Sequence, residues 1–563
     1  MKQSQPFLAR GQRRPTPAVA ALSLALLSPL TGVSAFAQIA PDAGQTLQQE
    51  LVPLEAPKPS QDIRIEAPRP AATPAGGEQI EVQTVTFSGN TLFSQALLLG
   101  ALGPFANQSY DLRGLRGLAE RISEYYRQAG YPFARAYLPP QPMDGGILRI
   151  EVQEGKYGQV KAVGERSLAT GALAFLSALK PGSVIESNAL ERITLIVSDQ
   201  PGIKSTPIIA PGQAVGSADL GMRVERSARY TGEVGLDNGG NRYTGQTRAH
   251  LNLDANSPFL LGDQLTLRSL LSEESMWFGN LAYSLPLGAS GLRGQVGYSH
   301  TYYELAKDFA NLQASGTAKI TSLALSYPIV RSQQANLNFS GTWLHKELND
   351  RQGATGTSSD KSSDTVPLSL GFDMRDGLGA GGITYGNFVW TSGLLQLDST
   401  LTGTDQVTAK TAGQFDKINL DLTRVQSLSG TLSLLGRFSG QWASKNLDSS
   451  EGFGLGGPSG VRAYPVGEAY GDGGWLAQVE VRYTMGDFTP YAFYDAGGVK
   501  TNTSSWTSQN NERSIDGAGF GSRYQKGKWS LDIALAWRNV GGPPQSDTQD
   551  NQPRAWLTMG YKF

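Results

Sequence analysis

From Arg226 to the C-terminus, hydrophobic and polar residues alternate in runs of about ten, separated by turn clusters of Gly, Asn, Asp and Ser. In 245–253, Gln246, Arg248, His250 and Asn252 fall on one face and Thr247, Ala249, Leu251 and Leu253 on the other, as side chains alternate along a strand. Runs 292–302, 337–343 and 479–485 repeat the pattern. The cleanest case is Trp529, Leu531, Ile533, Leu535 and Trp537, with Asp532 and Arg538 opposite. The final run sets Leu557, Met559, Tyr561 and Phe563 against Thr558, Gly560 and Lys562, so the chain stops on an aromatic in mid-strand. An open apolar edge invites aggregation, whereas a last strand that pairs with the first leaves no edge. At about 21 residues per strand with its turn or loop, 226–563 predicts an antiparallel transmembrane β-barrel of about 16 strands. Tyr283, Tyr302, Trp343, Tyr483 and Trp537 stand at run ends, as interfacial girdles require. The soluble alternative is a large β-sandwich or β-solenoid.

Upstream of Arg226 the period changes. Ile80, Val82, Val85 and Phe87 predict a strand, 94–102 and 112–129 predict helices, and 134–137 and 147–152 return to strand before Glu154-Gly155. A second round follows: strand 157–163, helices 168–179 and 187–197, strands 205–210 and 218–224. The order strand, helix, helix, strand, strand thus occurs twice, an internal repeat of one small α+β unit over 79–155 and 156–225.

The first 37 residues carry the parts of a secretory signal: Arg10, Arg13 and Arg14, an apolar run from Ala18 to Leu30, then Ala35-Phe36-Ala37. Residues 38–52 hold a short candidate helix near Gln45 to Leu51, and the prolines of 53–78 predict an extended tether. No later stretch offers about 20 consecutive apolar residues, so a membrane role falls to strands.

Composition narrows the chemistry. The 563 residues include no cysteine, and the formal net charge of −1 argues against nucleic acid as a partner. The three histidines, His250, His300 and His345, lie on separate runs in lumenal or girdle positions and predict no metal site. Gly452, Gly454 and Gly457, like Gly377, Gly379 and Gly382, match G-x-G-x-x-G without opening a helix after a strand, and no G-x-x-x-x-G-K-[ST] occurs. With no Ser-His-Asp set or G-x-S-x-G elbow either, the reading is a protein without cofactor or catalysis.

The most informative pair lies near the C-terminus. The Gly-rich segment 452–474 carries Val461, Arg462, Ala463 and Tyr464, and 491–499 is a strand with Phe493, Asp495 and Gly497 on one face. An ionised carboxylate facing lipid is costly, so Asp495 must face the lumen, and Arg462 is its candidate partner.

These features resemble the outer-membrane transporters of two-partner secretion, the TpsB family of the barrel-assembly superfamily. The resemblance rests most on Val461-Arg462-Ala463-Tyr464 and on Phe493-x-Asp495-x-Gly497. It implies that loop 452–474 folds into the barrel and that Arg462 meets Asp495 there. The family tetrad has Gly where this chain has Ala463; a Cβ disfavours positive φ, so a slightly altered tip is expected. The two α+β units resemble POTRA domains, through Phe87-Ser88-Gly89-Asn90, Tyr126, Gly130-Tyr131 and Glu154-Gly155. Segment 38–52 with its tether resembles the family's plug helix.

The implied function is an outer-membrane pore, its POTRA repeats in the periplasm, that binds an unfolded partner by strand addition and passes it to the surface without nucleotide hydrolysis. Implied partners are a large β-helical adhesin, haemolysin or contact-dependent toxin, outer-membrane lipid, and the barrel-assembly machinery that reads the terminal Tyr561 and Phe563. The alternatives are an outer-membrane barrel assembly factor, for which more repeats are expected, and a passive porin, which lacks them.

Overall fold

The computed structural model describes residues 40–48, 57 and 76–563. The leader read at 1–37 and most of the 53–78 tether lie outside the described residues.

In the first α+β unit, helix Leu112–Gln128 buries Leu115, Leu118, Ala119, Ile122 and Tyr126, spaced to form one apolar stripe. Asp111 caps it by accepting the Gly114 N–H at 2.8 Å. That stripe and helix Gln95–Leu102 cover a sheet in which Thr84–Ser88 runs parallel to Ile147–Gln153, with Arg135–Tyr137 antiparallel on the other side. The second unit repeats this topology: Lys156–Gly164 lies parallel to Ser217–Arg226, which pairs antiparallel with Ile203–Pro211, and helices Arg166–Leu176 and Ser187–Ser198 supply the core. One expectation needs correction. The strand read through Ile80 to Phe87 breaks at Gln83, whose N–H goes to the Gly146 carbonyl, so that Ile80–Val82 pairs with Gln108–Tyr110 in a separate ribbon.

Sixteen antiparallel strands, from Tyr230–Asp237 to Arg554–Lys562, close into a barrel. Its outer face is apolar and exposed, with Leu323, Leu325, Phe339, Trp343, Leu370 and Trp390 among the side chains it presents. The other parity faces the lumen and is polar, as Asn252, Arg268 and Asn280 show by their shared register. Gln246 departs from the reading: its strand begins at Arg248, and Gln246 lies in the preceding loop. His250 faces the lumen beside Glu233 and Asp237, whereas His300 and His345 share the outward face with Trp277 and Trp343. The seam is short: Thr558↔Asp237 to Lys562↔Glu233 are paired, and Phe563 and Gly232 exchange backbone bonds. Above that ladder Asn238 extends it with its side chain, accepting from Leu557 N at 2.8 Å and donating to the Ala555 carbonyl at 3.0 Å.

The second α+β unit is bonded to turns at one end of the barrel. Asp199 holds Arg331 through two contacts at 2.6 and 2.7 Å, and Arg192 donates to the Pro328 carbonyl at 2.6 Å. Within the lumen sits a short helix, Ala43–Gln48, packed with Tyr243, Met276, Tyr303 and Leu348.

Candidate functional site

Between strands Leu432–Ala443 and Gly473–Tyr483 the chain turns back into the barrel. The turn begins with a 3-10 segment, Ser449–Glu451, and narrows into a ribbon in which Phe453 pairs with Gly471 and Gly454 with Tyr470. Leu455, Val461, Ala463 and Tyr464 then form a buried cluster with Tyr491, Phe493, Ile515, Ala536 and Trp556 of the wall. Gly497 leaves the space that Leu455 occupies: a Cβ there would come within 2.6 Å of the leucine side chain.

Arg462 lies at the heart of this cluster, 5% exposed, and Asp495 is fully buried. The guanidinium donates from Nε to Asp495 Oδ2 at 2.7 Å and from Nη2 to Oδ1 at 2.6 Å, the two-pronged geometry that makes Arg–carboxylate pairs strong. The backbone N–H of Arg462 also donates to Asp495 Oδ2, at 3.1 Å. The third prong, Nη1, reaches Glu480 Oε1 at 2.7 Å, and the cation lies 3.5 Å above the Phe493 ring. The Arg462 carbonyl accepts from Trp556 Nε1 on the last strand at 2.7 Å. One residue is thus tied to two wall carboxylates, an aromatic face and the strand that closes the barrel.

Sequence reading missed Glu480. It sits in Gln478-Val479-Glu480-Val481-Arg482, where two charged residues on one strand parity already require a lumenal face. Glu480 Oε2 also pairs with Arg482 at 2.6 Å and Arg523 at 3.1 Å, and Arg523 continues to Asp532 at 2.9 Å. The network therefore spreads over four strands rather than resting on one pair.

The other singled-out residues fall as follows. The Tyr464 hydroxyl donates toward the Val540 and Gly542 carbonyls at 2.8 and 3.0 Å. Val461 is fully buried. Tyr561 packs against Trp529 with ring centroids 4.8 Å apart, and Phe563 is exposed beside the seam. Ala463 does not take the left-handed backbone. Its methyl sits over Gly517, where an added Cβ would collide with it. The Ala463 Cβ is thus accommodated by a glycine across the contact.

A second set of ions holds the base of the loop. Glu451 pairs with Lys346 and with Lys417, the latter at 2.8 Å. Lys361 lies 2.9 Å from Asp448 and 3.4 Å from Asp42, at the head of the lumenal helix. That helix is also held by Asp350, which accepts the Ala43 N–H at 2.9 Å, and by Gln48, which donates to the Ser450 carbonyl at 2.5 Å. None of these ionic contacts was identified from sequence, because their partners lie 34 to 319 residues apart and lack a local signature.

Residues 216–524 match the family described as haemolysin secretion/activation protein ShlB/FhaC/HecB, and residues 80–155 match the ShlB-type POTRA domain. Among curated proteins, the heme/hemopexin transporter HuxB of Haemophilus influenzae strain 86-028NP is 27% identical over 93% of this chain and 95% of its own. The outer membrane transporter CdiB of Dickeya dadantii is 25% identical over 77% of this chain and 78% of its own. The hemolysin transporter ShlB of Serratia marcescens is 24% identical over 84% of each. Of solved structures, CdiB from Escherichia coli superposes with a TM-score of 0.71 over 88% of this chain and 93% of its own, at 21% identity, a likeness of fold.

Proposed function

The chain belongs to the haemolysin secretion/activation family ShlB/FhaC/HecB, and on that premise we propose that its inward loop and lumenal helix hold shut a pore opened by one partner polypeptide. It is an outer-membrane transporter that carries a partner protein from the periplasm to the cell surface, with its POTRA region in the periplasm. The observation that carries the closed-pore reading is Arg462: a loop residue buried inside a closed barrel on Asp495 and Glu480.

The parts divide the work as follows. Residues 79–155 and 156–225 are two docking repeats, whose sheet edges accept extended segments of the unfolded client as added strands. Residues 38–52 plug the lumen at rest on the 53–78 tether. Loop 452–474 is fixed by Arg462 and Asp495, with Val461, Tyr464, Phe493 and Gly497 shaping its seat. The client is a large secreted β-helical protein of the adhesin, haemolysin or toxin kind, and its folding outside supplies the drive. The outward girdle meets outer-membrane lipid, and Tyr561 and Phe563 present the strand end to the barrel-assembly machinery.

Removing one partner of a buried ion pair costs about 3–5 kcal/mol. Arg462→Ala is therefore expected to leave a folded barrel, seen as heat-shifted migration in gels, while partner secretion drops at least tenfold. Normal secretion by this variant would remove the loop from the mechanism.

A further inference from the structure

The charges that hold the loop base and the lumenal helix are sorted by side. Lys346, Lys361 and Lys417 project inward from three barrel strands, Ala335–Gln352, Thr357–Asp376 and Gly413–Ser427. Each is nearly buried, and each meets its carboxylate on a piece that fills the lumen rather than on the wall: Glu451 for Lys346 and Lys417, Asp448 and Asp42 for Lys361. Arg513 of the wall follows the same rule with Glu468 of the loop. Asp350 of the wall accepts from the Tyr303 hydroxyl, a wall contact that outlasts the helix, and from the Ala43 N–H. Among the described residues only Arg462 reverses the sorting; of its two wall acceptors, Glu480 keeps Arg482 and Arg523 if the loop moves away, and Asp495 keeps the Gln478 amide, which donates to its Oδ1 at 3.2 Å.

Withdrawal of helix and loop base would thus strip three enclosed ammonium groups of their counter-charges. Unpaired cations in a low-dielectric channel are unfavourable, and they draw anions in. A neutral or basic segment threading this lumen would leave them unpaired. A segment carrying carboxylates would restore each pairing.

We propose that Lys346, Lys361 and Lys417 form a carboxylate-binding track, occupied at rest by the protein's own Asp42, Asp448 and Glu451, and that the transported polypeptide presents Asp and Glu side chains to it. The inference rests on the reading that a partner polypeptide passes through this lumen. It adds the chemical class of the segment that does so: an extended, acidic chain with carboxylates a few residues apart, as Asp448 and Glu451 are.

The test uses the full chain with Gly44→Leu, Asp448→Asn and Glu451→Gln, because a Cβ at Gly44 already runs into Ser449 and the Ser450 backbone, so a longer side chain must displace the helix, and the other two changes take the loop's carboxylates off the lysines. In planar bilayers under a potassium chloride gradient, the opened pore is expected to prefer chloride over potassium by roughly three- to tenfold. A 20-residue oligoglutamate added from the periplasmic side is expected to block it, and oligolysine of equal length is not. K346Q/K361Q/K417Q in that background should lose both the preference and the block. Lys361→Gln alone, the fallback if the triple variant does not fold, should weaken the block at least threefold, and Lys361→Arg should preserve it. Cation preference, equal block by the two peptides, or an oligoglutamate block indifferent to these lysines would overturn the proposal. Because no partner is present in the bilayer, such a result alongside intact secretion in cells would sink the track and leave the transport reading standing.

Discussion

At the residue scale, the loop tip turns on one contact between small side chains. The Ala463 methyl lies on Gly517, 54 positions later in the chain and on a wall strand. If that pairing is a matter of volume, Gly517→Ala alone forces two methyl groups into one space, and overpacking of this kind costs about 1–3 kcal/mol. We expect Gly517→Ala to lower the temperature at which the folded barrel loses its gel mobility, and Ala463→Gly added to it to restore that temperature. An unchanged midpoint in the single variant would show that the tip is not packed as described. Asp495 was legible in sequence because a lone ionisable residue in an alternating strand must face the lumen, and Arg462 as the candidate partner that such a carboxylate calls for and that the resembled tetrad supplies. Glu480 obeyed the same rule but stood outside the familiar tetrads. Ala463 stays out of the left-handed backbone and rests its methyl on Gly517, a contact that sequence alone did not reveal.

At the scale of elements, periodicity located both helices and all three main strands of each α+β unit to within a few residues. What it merged were Ile80–Val82 and Thr84–Ser88, two strands of like texture separated only by the bond from Gln83 to Gly146. It also overlooked helix Ser399–Val407, capped by Asp398, since a polar helix in an outer loop has no apolar stripe to announce it. Glu154, at the end of the first unit, was noted for its motif, and its structural role is specific. Its carboxylate accepts from the Thr91 backbone at 2.6 Å, from the Thr91 hydroxyl, from Leu92 N at 2.8 Å and from the Tyr126 hydroxyl at 3.1 Å. Burial alone would push this carboxyl up, but those hydrogen bonds hold it below its ordinary value.

The sign of the consequence follows from proton counting. A carboxyl depressed in the folded state binds fewer protons there than in the unfolded chain, so its contribution is present above the ordinary carboxylate value and fades as pH falls through the depressed one. Hydrogen exchange in helix Leu112–Gln128, corrected for the intrinsic rate, should therefore show protection that is full above the ordinary carboxylate range and declines as pH falls below it. Glu154→Gln should flatten that decline, and equal slopes in the two proteins would contradict the assignment.

At the scale of the whole molecule, three contacts link parts that the sequence presents as separate. Asp199 and Arg192 bind the second α+β unit to the periplasmic turns. Lys361 joins the lumenal helix to the loop base. Arg462, through Trp556, joins the loop tip to the strand that closes the barrel. Strand number and closure were legible because alternation and an aromatic chain end permit few other architectures. The coupling between parts was not, since it is made by side chains that meet only after the barrel has closed. On the proposed reading, these links hold the pore shut until a matching polypeptide arrives.

That claim is tested most directly by quantitative proteomics of the culture medium and the outer membrane, from cells with and without this protein. The account predicts the loss of one very large polypeptide from the medium while other outer-membrane barrels keep their abundance. A general fall in those barrels, with no single secreted protein lost, would contradict it and make the chain an assembly factor.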